Sequence, residues 1–536
     1  IDCVDPLPIR ALSRTDLGDP TLPDQVTLVD PRPTAGSPLL TTDRVAPNDG
    51  FFEPVAFRGA FADENWADGW TNTARLGYFP AKPTVTVSAD ITASTTWTAD
   101  TIYELDKVIY VTNGATLTIE PCTVVRGQPE SSPGAQDPGA LVISRDSKIQ
   151  ALGSEDCPIV FTDLFDDNIG ANPGTPPYDS PLNALSLTSQ WGGLILLGRS
   201  YVAFNTAGGP DPARENQIEG LTASGGLGLY GNCAAVYDPV ADPAVCDEDD
   251  SGTVRYVSLR YGGFNLSPDN EINGLTLGAV GRQTDIDYVE IFQNKDDGIE
   301  FFGGVPEVRH AVIVNPGDDG FDYDEGFRGK VQYGLLIQGL PGSGADKSDL
   351  GGEHDGGNSP DSSQPFAIPT FYNMTYIGHG VGKGYTNELK DTVVKFRDNA
   401  GGRYYNSFFM DFGGAPLLIE GGATDPTAPN TSGERSITAY PSGDPLFPGP
   451  VSDFQLELQD NTWYCIGNGP NVPTGDATAF NGDAGKQYYD NGAFTNPALD
   501  NLYIDCVDPL PIRALSRTDL GDPTLPDQVT LVDPRP

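Results

Sequence analysis

The stretch IDYVEIFQNKDDGIEFFGG (residues 286–304) can be laid over VRHAVIVNPGDDGFDYDEG (residues 308–326) at a constant offset of 22 residues. The apolar positions, the Asp-Asp-Gly corner and the final Gly all coincide. A unit that repeats at so short a period is typical of a solenoid, in which each coil contacts its neighbours. The stretch therefore predicts two successive coils of a repeating fold.

The repeat continues beyond these two coils. VQYGLLIQG (331–339) follows in series, and FYNMTYIG (371–378) recurs as YYNSFFMD (404–411) at an offset of 33 residues. Short β-branched or aromatic runs alternate with Gly, Asn and Asp corners, and no long amphipathic helical stretch separates them. This pattern predicts an all-β chain folded as a parallel β-helix. A β-sandwich is the alternative, but its hairpin strands would not recur in register at this spacing.

The composition agrees with a strand-rich fold and limits the partners. The 64 Gly and 47 Pro oppose helix interiors. The 75 acidic residues against 31 basic ones give a net charge of −44, which repels nucleic acid and favours cations as partners. No apolar run is long enough to predict a membrane span. Ile1 is neither an initiator Met nor the basic start of a signal peptide, so we expect a mature or internal segment.

The acidic corners of the coils are candidate cation sites. At the offset of 22, Asp297 falls over Asp319 and Glu300 over Asp322, and GGEHDGG (351–357) is expected to form the next coil. Strands about 4.8 Å apart would bring these like charges together, and Ca²⁺ prefers several flexible carboxylate and carbonyl oxygens. A solvated acidic face is the alternative. The predicted metal ligands are Asp296, Asp297, Glu300, Asp318, Asp319, Asp322, Asp324, Glu353 and Asp355.

Residues 1–33 and 504–536 are identical at every position, and this copy explains the odd count of seven Cys. Without the second copy the count is even, which is compatible with an oxidising compartment. Spacing suggests the pairs Cys122–Cys157, Cys233–Cys246 and Cys465–Cys506. Cys3 is then expected to bond with the Cys465 of a preceding unit. Free thiols in a reducing cytosol are the alternative.

Several segments resemble a family of secreted bacterial right-handed parallel β-helix proteins of pectate-lyase-like architecture. They are TWTADTIYELDKVIYVTNGATLTIEPCTVVRG (96–127), GALVISRDSKIQALGSEDCPIVFTD (139–163), WGGLILLGRS (191–200) and EINGLTLGAVG (271–281). Together with the Asp-Asp-Gly coils, the resemblance covers most of residues 84–415. It implies a right-handed parallel β-helix with an extracellular or cell-surface location, and it supplies no reaction.

In that family, segments similar to DPRPTAGSPLL (30–40) and FRGAFADENWADGWTN (57–72) close the β-helix, whereas here they precede the coils. The resemblance thus implies that residues 1–80 are a closing strap and cap that belong to a preceding unit. Residues 81–503 then form the β-helix, and residues 504–536 start this unit's own strap. The six Pro of each 33-residue copy predict an extended strap with little strand pairing.

This order predicts one period of a polymer, built either from tandem repeats or from subunits linked head to tail. An overlap without biological meaning is a third reading, and the segment order and the odd Cys oppose it. We therefore expect an extracellular structural protein that polymerises with itself into a fibre stabilised by divalent cations. A monomeric surface adhesin is one alternative.

A polysaccharide-active enzyme is the other alternative. The order NKDDG (294–298), GDDG (317–320), GHG (378–380) and KFR (395–397) loosely resembles the polygalacturonase family. The resemblance implies Asp297 or Asp319 as acid or base, with His379 and Lys395 nearby. His379 aligns with Phe412 at the offset of 33, which makes it a coil corner, and a strongly acidic face repels polyanions. We therefore predict no catalytic residue. His310 holds the coil position of Tyr288 and Tyr333 and is expected to be a packed strand residue.

Overall fold

The computed structural model describes the β-helix coils and parts of the segments on either side of them. The described residues are 9–15, 25–41, 55–58, 60–61, 82–130, 137–166, 188–203, 214–221, 225–235, 237, 244–267, 270–339, 348–357, 363–380, 392–398, 400–420, 456–466, 486–487, 502–504, 514–518 and 528–533. The chain divides into two compact units. One comprises Ile1–Val85, Thr98–Ile102 and Phe165–Ala184, and the other comprises Thr86–Trp97, Tyr103–Leu164 and Leu185–Pro536.

The regular structure of the described ranges is strands and one 3₁₀ turn, Pro38–Leu40. The strands are β1 Ile9–Thr15, β2 Gln25–Pro33, β3 Thr84–Val87, β4 Thr95–Trp97, β5 Ile102–Leu105, β6 Val108–Val111, β7 Thr116–Ile119, β8 Val124–Gly127, β9 Ala140–Ile143, β10 Lys148–Leu152, β11 Ile159–Asp163, β12 Leu194–Leu197, β13 Glu215–Gln217, β14 Leu229–Gly231, β15 Gly252–Arg260, β16 Asn265–Ser267, β17 Asn270–Glu271, β18 Leu275–Gly278, β19 Asp285–Phe292, β20 Ile299–Phe302, β21 Glu307–Val314, β22 Phe321–Asp324, β23 Lys330–Ile337, β24 Gly352–Asp355, β25 Thr370–Tyr372, β26 Thr375–Ile377, β27 Val394–Arg397, β28 Gly402–Tyr405, β29 Phe408–Met410, β30 Leu417–Glu420, β31 Leu456–Gln459, β32 Thr462–Tyr464, β33 Lys486–Gln487, β34 Leu502–Ile504, β35 Ala514–Thr518 and β36 Gln528–Asp533.

Parallel pairing from coil to coil builds the fold. One wall runs in the order β6, β9, β12, β18, β20, β22, β24, β27 and β30, each parallel to the next, and β33 closes it antiparallel. The strands β10, β15, β19, β21 and β23 form a second parallel ladder. The chain is therefore a parallel β-helix, as predicted. Parallel strands joined without helices are possible because each coil returns the chain to the same wall.

The predicted registers are confirmed. Ile286 pairs with Val308 across β19 and β21, which is the offset of 22. Phe371 pairs with Tyr404 across β25 and β28, which is the offset of 33. Tyr323 pairs with His354, so GGEHDGG does supply the coil after β22.

Alternation along each wall strand separates the core from the outer face. On β20, Ile299 and Phe301 are fully buried inside the coil, so Glu300 points to the opposite face. The same alternation on β22 buries Phe321 and Tyr323 and directs Asp322 and Asp324 outward. The outer face of this wall therefore carries the acidic rows.

A row of stacked rings marks the corner within β15, β19, β21 and β23. His310 lies between Tyr288, with ring centroids 4.2 Å apart, and Tyr333, at 5.0 Å. Tyr256 extends the row by stacking on Tyr288 at 4.4 Å. His310 is thus a packed strand residue, as predicted, and its Nδ1 lies 2.7 Å from Asp287 Oδ1.

Each copy of the 33-residue repeat contains an antiparallel hairpin. In the first copy, Leu12 pairs with Val29 and Ser13 with Leu28, and an irregularity follows Ser13. In the second copy, Leu515 pairs with Val532 and Ser516 with Leu531, and the irregularity follows Ser516. The prediction of a strap with little pairing is therefore wrong. Pro31 and Pro33 lie at the end of β2, where Pro interrupts little of the ladder.

Candidate cation site

The second Asp of each Asp-Asp-Gly corner ties one coil to the next. Asp297 Oδ1 accepts a hydrogen bond of 2.8 Å from the backbone N–H of Asp319. Asp319 Oδ1 accepts one of 2.7 Å from the backbone N–H of Leu350 in the following coil. Both side chains are buried, at 7% and 4% exposure. This corner-to-corner bond explains why Asp recurs at this position, since the buried N–H groups need an acceptor.

Three carboxyl groups converge beside the first of these corners. Oxygens of Asp297, Glu300 and Asp322 all lie within 4.8 Å of one another, and we call these residues the carboxylate cluster. Glu300 and Asp322 are paired on the neighbouring strands β20 and β22, so their side chains share the outer face of the wall. Asp296, Asp297 and Asp318 form a second group within the same distance. The two groups share Asp297.

Two buried oxygens that accept no hydrogen bond adjoin the carboxylate cluster. Asn273 Nδ2 donates to Glu300 Oε2, which fixes the amide against the cluster, and Asn273 Oδ1 has no hydrogen-bond partner. Thr276 is paired with Glu300 across β18 and β20, and its Oγ1 also has no hydrogen-bond partner. Both residues are almost fully buried, at 3% and 1% exposure. Carboxylate and side-chain amide oxygens are among the ligands that Ca²⁺ takes.

The electrostatics of the carboxylate cluster favour either protons or a cation. Burial raises the pKa of Glu300 well above its usual value, and the negative charge of Asp322 raises it further. Burial likewise raises the pKa of Asp322, with Asp355 and Glu353 adding to the effect. For Asp297 the causes are burial and then Asp296. A divalent cation would neutralise these charges in place of bound protons.

Farther along the same wall the acidic row meets basic side chains. Glu353 forms ion pairs with Lys395 and, at 2.9 Å, with Arg397. Arg397 Nε also lies 2.5 Å from Asp355 Oδ1. Two of the nine predicted metal ligands are thus paired with cations of the chain itself. Asp324 pairs with Phe302 across β22 and β20. Burial raises the pKa of Asp324, and the negative charge of Asp355 raises it further.

The family model described as pectate-lyase-like beta-helix domain matches residues 89–174 and 243–439, which together are more than half of the chain. The chain belongs to the pectate-lyase-like β-helix family. No curated protein and no solved structure matches it.

The residues that a polygalacturonase-like reaction would use take part in contacts of this pectate-lyase-like β-helix. Lys395 is paired with Glu353, and Asp319 bonds to the backbone of Leu350. His379 is a corner residue of 1% exposure that follows Gly378, as the offset of 33 predicted. These contacts give each side chain a structural partner or a corner position.

Two of the three predicted disulfides lie within the described residues and are confirmed. Cys122 bonds to Cys157 and Cys233 to Cys246, with Cα atoms 4.7 Å and 6.0 Å apart. Cys465 is disulfide-bonded as well. Cys3 and Cys506 lie outside the described residues. Across the described ranges no helix is both long and apolar enough to cross a membrane.

Sequence reasoning missed Asn273 and Thr276. The signal was present, because NGLTLG (273–278) lies over DGIEFF (297–302) at an offset of 24, the register observed between β18 and β20. Asn273 thus takes the corner position of Asp297, and Thr276 takes that of Glu300. The coil before the acidic coils therefore carries neutral side-chain oxygens at the positions that hold carboxylates in the next coil.

Proposed function

We propose that this protein is an extracellular structural protein that assembles head to tail with copies of itself, and that Ca²⁺ bound in its acidic coils stabilises it. The observation that carries the proposal is the pair of identical 33-residue segments, 503 residues apart, whose hairpins have the same register and the same irregularity. A β-helix has open strand edges at its ends, and a neighbouring copy can pair with them. The two disulfides support an oxidising location.

The cation part of the proposal follows from the charge. Chains with a net charge of −44 repel one another, and the carboxylate cluster concentrates negative charge beside two orphaned oxygens. Divalent cations weaken both the repulsion between chains and the repulsion within the carboxylate cluster. Assembly is therefore expected to need millimolar Ca²⁺ or high salt, with Ca²⁺ effective at the lower ionic strength.

Negative-stain microscopy and sedimentation of the purified protein, with Ca²⁺ and with chelator, test the assembly. Fibres or long oligomers that form with Ca²⁺ support the proposal. Dispersed monomers at high protein concentration, with and without Ca²⁺, contradict it and favour an adhesin.

A glycoside hydrolase acting on acidic polysaccharide is the second candidate. It is favoured by the position of Lys395 and Arg397, which lie on the same outer face as the carboxylate cluster. Release of reducing sugar from polygalacturonate, lost in both Asp297→Asn and Lys395→Ala, would support it. No release, under conditions in which a reference hydrolase is active, leaves the structural role.

A further inference from the structure

An antiparallel hairpin is attached to the outside of the wall next to the carboxylate cluster. Its strands are β13 and β14, and we call residues 214–221 and 225–231 the cover hairpin. The backbone N–H of Gly231 donates to Gly198 O at 3.0 Å, just after β12. Ser144 Oγ, just after β9, donates to Leu227 O at 2.8 Å. The cover hairpin is thus bonded to coils that precede the acidic ones.

The outer face of the wall is apolar where the cover hairpin packs on it. Ile195 and Leu197 of β12 point away from the core, yet both are fully buried. They form a separate apolar cluster with Ile218, Leu221 and Tyr230 of the cover hairpin. Burial of this apolar surface holds the hairpin against the wall.

Tyr230 brings the cover hairpin to the edge of the carboxylate cluster. Its ring centroid lies 5.8 Å from that of Phe302, and a Cβ added to Gly278 would lie 2.8 Å from its ring. Phe302 and Gly278 lie two residues beyond Glu300 and Thr276 on β20 and β18. Two residues of a strand span about 7 Å. The carboxylate cluster therefore lies in the column of side chains next to the one that the hairpin covers.

One buried carboxylate fastens both strands of the cover hairpin. Glu325, which follows β22, accepts a hydrogen bond of 2.8 Å from Tyr230 Oη and one of 2.6 Å from Asn216 Nδ2. Glu325 is 2% exposed. Burial raises its pKa to about 7, the two hydrogen bonds lower it, and the negative charge of Glu219 raises it. The acidic end of β22 thus holds the hairpin in place.

Glu219 is an acidic residue of the cover hairpin near the cluster. It lies in a turn between Ile218 and Leu221, which are 4% and 3% exposed, whereas Glu219 itself is exposed. The backbone N–H of Leu221 donates to Ile218 O at 3.1 Å and closes this turn. Burial raises the pKa of Glu300, and the charges of Asp322 and Glu219 are among those that raise it further. The carboxylate of Glu219 is therefore within electrostatic reach of the cluster.

We propose that the cover hairpin is part of the cation site: Ca²⁺ bound by the carboxylate cluster recruits Glu219 as a further ligand and thereby holds the hairpin closed on the wall. The inference rests on the cation part of the proposed function and adds a ligand and a moving element to that site. The buried, unpartnered Asn273 Oδ1 and Thr276 Oγ1 beside the cluster are the observation that points to an ion there. Ca²⁺ takes roughly six to eight oxygen ligands, so the cluster leaves positions for a carboxylate of the hairpin.

Hydrogen exchange and titration calorimetry of the chain of residues 1–536 test the coupling. Ca²⁺ should slow amide exchange in peptides of the cover hairpin about tenfold, because opening the hairpin would remove one ligand. Glu219→Gln should abolish this protection and weaken Ca²⁺ binding by the same factor, as linkage requires. Glu307→Gln is the control, since it removes the same charge from an exposed ion pair with Lys330 on β21. It should leave both quantities unchanged.

Tyr230→Phe separates coupling from simple attachment. It removes the hydroxyl that donates to Glu325 but keeps the ring against Phe302. Exchange in the cover hairpin should become faster with and without Ca²⁺, while the ratio of the two rates stays that of the wild type. Loss of the Ca²⁺ effect in Tyr230→Phe as well would contradict the assignment of the ligand to Glu219.

The outcomes also separate this inference from the proposed function. Wild-type Ca²⁺ affinity and wild-type protection of the hairpin in Glu219→Gln would overturn the inference and leave the proposed function standing. Equal Ca²⁺ affinity in the wild type and in Glu300→Gln would contradict the cation part of the proposed function, and this inference with it.

Discussion

Glu300 and Asp322 lie side by side on neighbouring strands, where burial raises the pKa of Glu300 and the negative charge of Asp322 raises it further. In a chelator, Glu300→Gln should therefore raise the melting temperature, because it removes a buried repulsion. With Ca²⁺ the wild type should gain stability, about 3 kcal/mol at a concentration 100 times Kd, and the variant should lose most of this gain. Differential scanning calorimetry with chelator and with added Ca²⁺ measures both effects.

Glu353→Gln is the matched control on the same face. It leaves Lys395 and Arg397 without one of their partners, so it should lower the melting temperature in chelator and in Ca²⁺ alike. Its Ca²⁺ increment should equal that of the wild type. Equal increments in Glu300→Gln and Glu353→Gln would place the cation elsewhere.

Asp249 should make stability depend on pH in the weakly acidic range. Burial raises its pKa to about 6, with Asp146 and Asp250 adding to the effect, against backbone hydrogen bonds from Arg199 and Gly281. A raised pKa means that the native state binds more protons, so stability is lost as pH rises through 6. Asp249→Asn should therefore stabilise the protein by about 2 kcal/mol at pH 7 and have little effect at pH 4. Urea unfolding across this range measures the difference.

Asp247 should have the opposite effect on the pH dependence of stability, because its pKa is lowered. Burial opposes its charge, but hydrogen bonds from Arg328 at 2.9 and 3.0 Å, together with Ser200, lower its pKa overall. Its contribution is present at neutral pH and lost on acidification. Asp247→Asn should thus destabilise at pH 7, and the same sign for both variants would contradict this account.

The candidate cation site shows which residues a sequence can reveal. The acidic columns were predictable because the same carboxylates recur at a constant offset. Asn273 and Thr276 were missed because they occupy the same coil positions with neutral side chains in place of carboxylates. The ion pair of Glu353 with Lys395 was missed because its partner lies 42 residues away, beyond the short period.

At the scale of elements, the Gly of each Asp-Asp-Gly corner allows the coils to approach one another. A Cβ on Gly298 would lie 2.7 Å from the backbone oxygen of Gly320, and one on Gly320 would lie 2.8 Å from that of Gly351. Gly298→Ala and Gly320→Ala should each lower the free energy of unfolding by about 3 kcal/mol, because the backbone cannot move aside. Chemical denaturation measures the loss.

Gly114→Ala separates this packing effect from backbone strain. Gly114 has a φ of 71°, and the nearest atom to its added Cβ is 3.9 Å away. Only the cost of the left-handed conformation remains, about 1 kcal/mol. Equal losses at Gly114 and Gly298 would show that coil packing is not the cause.

The strands that repeat at a short offset were also the ones whose register the sequence predicted best. Residues 286–337 repeat because every coil meets the same walls, so register could be read from the offsets. The hairpins of the repeated segment were not predicted, since a count of Pro ignores where each Pro lies. Only Pro31 and Pro33 fall within β2, at its end.

At the scale of the whole molecule, the disulfide that closes the longer loop is expected to stabilise the protein more. Cys122–Cys157 closes 35 residues and Cys233–Cys246 closes 13. The chain-entropy relation gives about 4 and about 3 kcal/mol for these loops. Paired Ser variants should lose stability in that order in guanidinium unfolding. A larger loss of stability for the 13-residue loop would contradict the chain-entropy account, because contacts in the folded loop would then outweigh chain entropy.

The parallel register from β19 to β21 also limits how the gene can change length. Ile286 and Val308 occupy the same place on successive coils, 22 codons and hence 66 nucleotides apart. A tandem duplication of those codons would add one coil and return every later side chain to its proper face. An in-frame insertion one codon shorter or longer, placed within a strand, would turn core residues outward. For this part of the gene, the permitted unit of growth is the coil.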